Sequence, residues 1–180
     1  MKKIILLASL LNGIFSFCQE KEFTFTKDGI TDFVVTSVDN KTQSELFKKT
    51  LDWIAVTFKN PKEVLKAQIE NDFIRTEGYS KELLCFNTMG KTFYDANYLV
   101  EISFKDGKYK FDLLSITMLN TKSEPNIELN KMNEYYKENG NIRGTYKYFP
   151  EIIPVYFNNL NISLNDFLTN DKIPSKKNDW

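Results

Sequence analysis

Histidine is missing from all 180 residues. That absence removes Ser-His-Asp and Cys-His nucleophiles, imidazole metal ligands and imidazole acids or bases. Carboxylate, lysine and tyrosine chemistry stay open. Cysteine is nearly absent too: Cys18 and Cys85 are the two in the chain, so there is no paired-cysteine metal spacing. Glycine (7) and proline (5) are scarce, and neither G-x-G-x-x-G nor a P-loop occurs. No charge of one sign dominates, with 24 basic against 24 acidic residues, or 22 against 24 once Lys2 and Lys3 are set aside with a leader. A near-neutral surface has no global attraction for nucleic acid or anionic lipid. The length suits one domain with a real core, and aromatics are plentiful, at 15 Phe, 9 Tyr and 2 Trp.

One apolar run stands at the start. Lys2-Lys3 is followed by residues 4–17, apolar except for Ser9, Asn12, Gly13 and Ser16. Ser16 and Cys18 occupy −3 and −1 of a cut before Gln19, so residues 1–18 are expected to be a cleaved secretory signal. The run is short for a membrane span. The expected location is the periplasm or outside the cell, with a lipoprotein anchored through Cys18 as the alternative. Cys85, between Leu84 and Phe86, is then the sole mature cysteine and reads as a small buried hydrophobe.

The centre of the chain is a hairpin. Ala96, Tyr98, Val100, Ile102 and Phe104 alternate with polar residues, Asp106-Gly107 supplies a tight turn, and Tyr109, Phe111 and Leu113 resume the alternation. This register sets Phe104 against Tyr109, Ile102 against Phe111 and Val100 against Leu113. The phase then shifts to Leu114, Ile116 and Met118, which predicts a bulge near Leu113-Leu114 with Ile116 facing Tyr98 and Met118 facing Ala96.

Around it, residues 23–26 and 31–38 read as strands. A helix follows, opened by a Thr42/Glu45 capping box, carrying Leu46, Thr50, Leu51, Ile54 and Phe58, and closed by Asn60-Pro61; Trp53 flanks its stripe as packing. Leu65, Ala67 and Ile69 return through an Asn71-Asp72 turn to Ile74 and Thr76, with Lys66 facing Glu77. Residues 81–91 predict a short strand or irregular edge and a turn into the hairpin, and residues 120–126 an exposed loop. Leu129, Met132, Tyr135 and Tyr136 predict a helix with Gly140 at its C′ position. A last helix, with Pro150 or Pro154 near its first turn, carries Ile153, Tyr156, Phe157, Leu160, Leu164, Phe167 and Leu168. Residues 19–168 thus form one α+β domain, a curved antiparallel sheet of five to six strands with helices on one face, and residues 169–180 are expected to be a disordered tail.

The stretches FTKDGITDFVV (from Phe25), NPKEVLKAQIEN (from Asn60), EISFKDGKYKF (from Glu101) and YYKENGNIRGTYKYFPEIIPVYFNNLNISL (from Tyr135) resemble an exported bacterial family of unknown function with a TBP-like fold. The resemblance spans residues 23–168. It implies a fold like one repeat of the TATA-binding protein and carries no catalytic or binding residues. Fold does not fix function, and a neutral domain lacks the electrostatic attraction that dominates duplex binding. No nucleic-acid partner is expected.

The hairpin register makes one sharp prediction: Glu101 lies directly opposite Asp112 on the polar face. Facing carboxylates are unfavourable unless a cation, a shared proton or a neighbouring base offsets them. Lys110 lies diagonal to Glu101, and Arg75 comes near if the preceding hairpin lies alongside. The ordinary reading is a solvated face of mixed charge; the sharper one is a binding site formed by Phe73, Arg75, Tyr79, Glu101 and Asp112. No catalytic residue, metal ligand set or cofactor is assigned. The expectation is a non-enzymatic exported domain that binds an envelope protein or ligand through its open sheet face. The alternative is a small carboxylate hydrolase drawing on residues such as Glu70, Asp72 or Asp95.

Overall fold

The structure, a computed structural model, describes residues 22–27, 29–119, 126–127 and 132–170. The expected leader, most of the 120–126 loop, Leu129 and residues 171–180 lie outside the described residues.

In chain order the elements are β1 (Phe25–Thr26), β2 (Gly29–Ile30), β3 (Phe33–Ser37), α1 (Gln43–Thr57), α2 (Pro61–Val64), β4 (Leu65–Ile69), β5 (Phe73–Asn87), β6 (Lys91–Lys105), β7 (Lys108–Met118), β8 (Asn126–Ile127), α3 (Met132–Tyr135), a 3-10 turn (Gly144–Tyr146) and α4 (Phe149–Asn170). β1 and β2 pair with each other. The main sheet is antiparallel in the order β3-β7-β6-β5-β4, and β8 pairs with the far end of β7.

The central hairpin keeps the register that its alternation demands: Phe104 faces Tyr109, Ile102 faces Phe111 and Val100 faces Leu113. Pairing then skips Leu114, and Tyr98 faces Ile116 while Ala96 faces Met118. One extra residue restores the buried face after the phase change. At the tip, Gly107 takes a positive φ of 74° and Asp106 does not. The Asp106 carboxylate instead accepts the Gln43 N–H at 2.8 Å, and the Gly107 N–H donates to the Lys41 carbonyl at 2.8 Å. The tip is therefore fastened to the start of α1. The capping box is complete: Thr42 Oγ1 accepts from Glu45 N, and Glu45 accepts from the Thr42 N–H and hydroxyl. Those two bonds hold the Glu45 carboxyl below its usual range.

α1 and α4 cover one sheet face. Ile74, Tyr98, Val100, Ile102, Phe104, Tyr109, Phe111 and Leu113 are buried there with Leu46, Phe47, Trp53, Ile54, Ile153, Phe157 and Leu164. The aromatic contacts are mostly edge-on, among them Phe47 on Phe104, Phe23 on Phe111 and Phe157 on Tyr98. Several buried polar atoms are matched across these layers, though Thr50 Oγ1 and Thr76 Oγ1 are not. Tyr109 Oη donates to Asn161 Oδ1 at 2.8 Å, Asn161 Nδ2 donates to Thr36 Oγ1 at 3.2 Å, and Trp53 Nε1 donates to Ser163 Oγ at 3.2 Å. Asn158 bonds both the N–H and the carbonyl of Phe23, pinning the start of the described chain to α4.

Four expectations need correction. The β4-β5 turn takes three residues, because Asn71 enters the left-handed region at φ 64°. Ile69 then faces Phe73 instead of Ile74 and turns outward, while an irregularity between Leu65 and Ala67 still lets Lys66 reach Glu77 at 2.7 Å. Residues 81–87 are no separate edge. β5 runs on to Asn87 through a bulge at residues 81–83, where Glu82 has φ 57°. The helix expected up to Gly140 stops at Tyr135, whose carbonyl is taken by the Arg143 N–H at 2.7 Å, and Gly140 sits in the turn closing the Tyr136-Ile142 bridge. α4 runs two residues past the expected boundary, to Asn170, and carries Pro154 within it.

Candidate functional site

The open face is read by rows across the strands. One row is Phe33, Asp112, Glu101, Arg75, Ala67; the next is Val35, Lys110, Ser103, Phe73, Ile69; beyond it, at the hairpin tip, stand Ser37, Lys108 and Lys105. The structure brings Glu101, Asp112, Arg75 and Phe73 together, as the register requires. Tyr79 lies further along β5, opposite Asn97.

The facing carboxylates each have a base. Arg75 donates to Glu101 from Nη2 at 2.6 Å and from Nε at 3.1 Å, and Lys110 Nζ lies 2.7 Å from Asp112. Lys110 thus takes the carboxylate on its own strand instead of the diagonal Glu101. Both carboxylate side chains are only 18% exposed, so their separate partners matter more than those of a rim pair. The same two cations lie against aromatic rings, Arg75 at 5.6 Å from the Phe73 centroid and Lys110 at 5.2 Å from that of Phe33. Tyr79 Oη donates to Asp95 at 2.6 Å, which raises the phenol's pKa. Among the described residues no three His, Cys, Asp or Glu side chains are grouped as metal ligands would be.

Exposed apolar side chains concentrate on this face. Phe33, Ile69, Tyr79 and Phe93 are 44%, 55%, 57% and 45% exposed, and the bulged Leu114 is exposed as well. Phe33, Ile69 and Phe93 are additions to the sequence-derived set. Phe33 and Val35 could have been found from the alternation with buried Val34, had the β3-β7 pairing been known.

A pocket of about 420 Å³ opens at the hairpin end, lined by Val35, Asp72, Ser103, Phe104, Lys105, Lys108, Tyr109 and Lys110. A second, of about 370 Å³, lies beside Phe58, Lys59, Glu63, Glu77 and Tyr79. Its two carboxylates are engaged with neighbours, Glu77 with Lys66 and Glu63 with Asn60 Nδ2 at 3.1 Å, and neither is desolvated. Glu70, Asp72 and Asp95 do not form a facing pair: Asp72 rims the first pocket, Asp95 holds Tyr79 and the Glu82 N–H, and Glu70 is in the β4-β5 turn. Cys85 is fully buried, which pushes its thiol pKa up.

Residues 33–118, from β3 to the end of β7, match the family described as "Domain of unknown function (DUF4468) with TBP-like fold". Over that stretch the chain is similar to DUF4468 domains. Two solved structures share its fold. A TBP-like protein from Parabacteroides distasonis ATCC 8503 aligns with a TM-score of 0.55 at 19% identity, over 77% of this chain and 91% of its own. A DUF4468 family protein from Bacteroides ovatus ATCC 8483 aligns with a TM-score of 0.61 at 10% identity, over 88% of this chain and 96% of its own. No curated protein matches the chain. The DUF4468 match covers the five strands β3 to β7 of the main sheet with α1 and α2, and leaves out α4.

Proposed function

We propose that this protein is a non-enzymatic binding domain, delivered to the cell envelope by residues 1–18, that engages a protein partner presenting apolar side chains to its open sheet face. The carrying observation is the pairing of two features on one face. Most of its exposed aromatic and aliphatic residues are gathered there, and its carboxylates are already matched by Arg75, Lys110, Lys66 and Tyr79. A face whose carboxylates are satisfied internally can be covered by an apolar partner without stranding one of them. The alternation of acids and bases also supports a partner other than nucleic acid, which would need an unopposed basic face.

The test is capture of envelope proteins on immobilised mature protein, compared with Phe73→Ser/Arg75→Ser/Tyr79→Ser and with a control, Val155→Ser/Ile162→Ser, on the outer side of α4. The expected result is loss of the captured protein with the sheet-face variant and its retention with the control. Equal capture by all three forms would overturn the reading.

A further inference from the structure

We propose that the pocket at the hairpin end receives an anionic group, carboxylate or phosphate, belonging to the ligand whose apolar part lies on Phe33, Val35 and Phe73. This rests on the open face being the binding surface.

Lys105 and Lys108 flank the turn and face each other directly across β6 and β7. Like charges so placed repel, as Glu101 and Asp112 do. The carboxylates are each relieved by a base. The two lysines have no acidic partner among the described residues, although the same face pairs its other charges closely. Lys110 lines the pocket as well, but its charge is committed to Asp112. Asp72 is the one carboxylate in the lining, on the opposite rim, where its backbone carbonyl accepts the Phe104 N–H at 2.9 Å and holds the β4-β5 turn against the hairpin. Lys105 and Lys108, Ser103 and the apolar Val35 therefore line together a volume of about 420 Å³, large enough for a small anionic group. The walls of the pocket exclude part of the solvent and concentrate the field of the lysines.

Ammonium groups read charge and leave geometry free, unlike the planar guanidinium fork. Carboxylate and phosphate share the chemistry required, and the test separates them. Amide and lysine-side-chain NMR shifts of the full mature chain are followed at low salt with phenyl phosphate, phenylacetate and benzyl alcohol. The two anions carry a ring for the apolar floor; the alcohol carries the ring alone. The expected result is saturable shifts at Ser103, Lys105 and Lys108 with at least one anion, and none there with benzyl alcohol. Lys105→Gln/Lys108→Gln should weaken that anion about tenfold, the scale for two surface charges near one anion. Lys48→Gln/Lys62→Gln, which removes the same charge elsewhere, should leave it unchanged. Both lysines of the pocket pair are exposed, and relieving their repulsion should hold or slightly raise the melting temperature, so loss of binding will not reflect unfolding. Shifts outside the pocket, or equal weakening by both double variants, would overturn the proposal. Capture through Phe73, Arg75 and Tyr79 reads the face and anion titration reads the pocket, so either can fail alone.

Discussion

Replacing Gly78 by alanine should destabilise the fold far more than one methyl group suggests. Gly78 lies in β5 directly opposite Tyr98. A Cβ built there would stand 2.2 Å from the Tyr98 ring carbon Cζ and 2.2 Å from its hydroxyl oxygen. The Tyr98 ring cannot simply step aside. It is 2% exposed, with its centroid 5.4 Å from those of both Tyr156 and Phe157, and its hydroxyl accepts a bond from Tyr156 Oη at 3.1 Å. Overpacking such a site costs about 1–3 kcal/mol. Displacing the ring breaks the phenol pair and adds roughly 1 kcal/mol. Against this, alanine restricts the unfolded chain and returns about 0.4–1 kcal/mol. The balance is a loss of about 2–3 kcal/mol, read as a lower urea midpoint at unchanged slope and a fall of roughly 4–12 °C in Tm for a domain of this size. The decisive control is the pair: in a Tyr98→Leu background the added methyl has room, and Gly78→Ala should then be close to neutral. Costs that simply add, or a Gly78→Ala variant as stable as the parent, would refute the steric argument and leave only the chain-entropy gain.

Arg75→Met removes the base from Glu101 and leaves two poorly exposed carboxylates facing each other; urea unfolding should show a loss of about 1 kcal/mol at neutral pH. Tyr98 and Tyr109 have phenols that burial pushes well above their ordinary value. Stability from such a raised phenol is whole below the unfolded pKa of about 10 and is lost as pH climbs toward the folded one, so alkaline titration should release tyrosinate absorbance from both in one step with unfolding, and Tyr109→Phe should flatten that dependence. Thr42→Ala should cost about 1 kcal/mol through loss of the α1 cap, measurable by thermal melting. The buried Cys85 thiol should react with an aromatic disulfide reagent only as fast as the β5-β6 end opens, giving rates that rise with denaturant.

The central hairpin was legible because two strands alternate in phase around Asp106-Gly107, and even its bulge announced itself when the apolar phase slipped at Leu114. The α1 cap was equally readable, since Thr42 and Glu45 act within one turn. What resisted was decided at a distance or by a single backbone angle. Asn71 adopted a left-handed φ and shifted β4 by a residue, turning Ile69 to solvent. Glu82 did the same within β5, allowing one long strand where two short pieces were expected. The carboxylate pair of the site followed from register alone, but the choice of Lys110 for Asp112 depended on Arg75 claiming Glu101 from the neighbouring hairpin. The lysine pair at the turn was implicit in the same register. The pocket beside it needs β3 on one side and the β4-β5 turn on the other, and neither placement can be read from local alternation.

The fastening of Phe23 to Asn158 has a consequence for how the molecule is made. The two residues are 135 positions apart, and β3 waits in the same way for β7. A chain threaded out amino end first would present these early segments long before their partners arrive, and closure over such separations is slow. Assembly can finish only when nearly the entire polypeptide has been released on one side of whatever it passes through, and until then Phe23, Phe25 and Val34 are bare adhesive surface in need of a chaperone's cover.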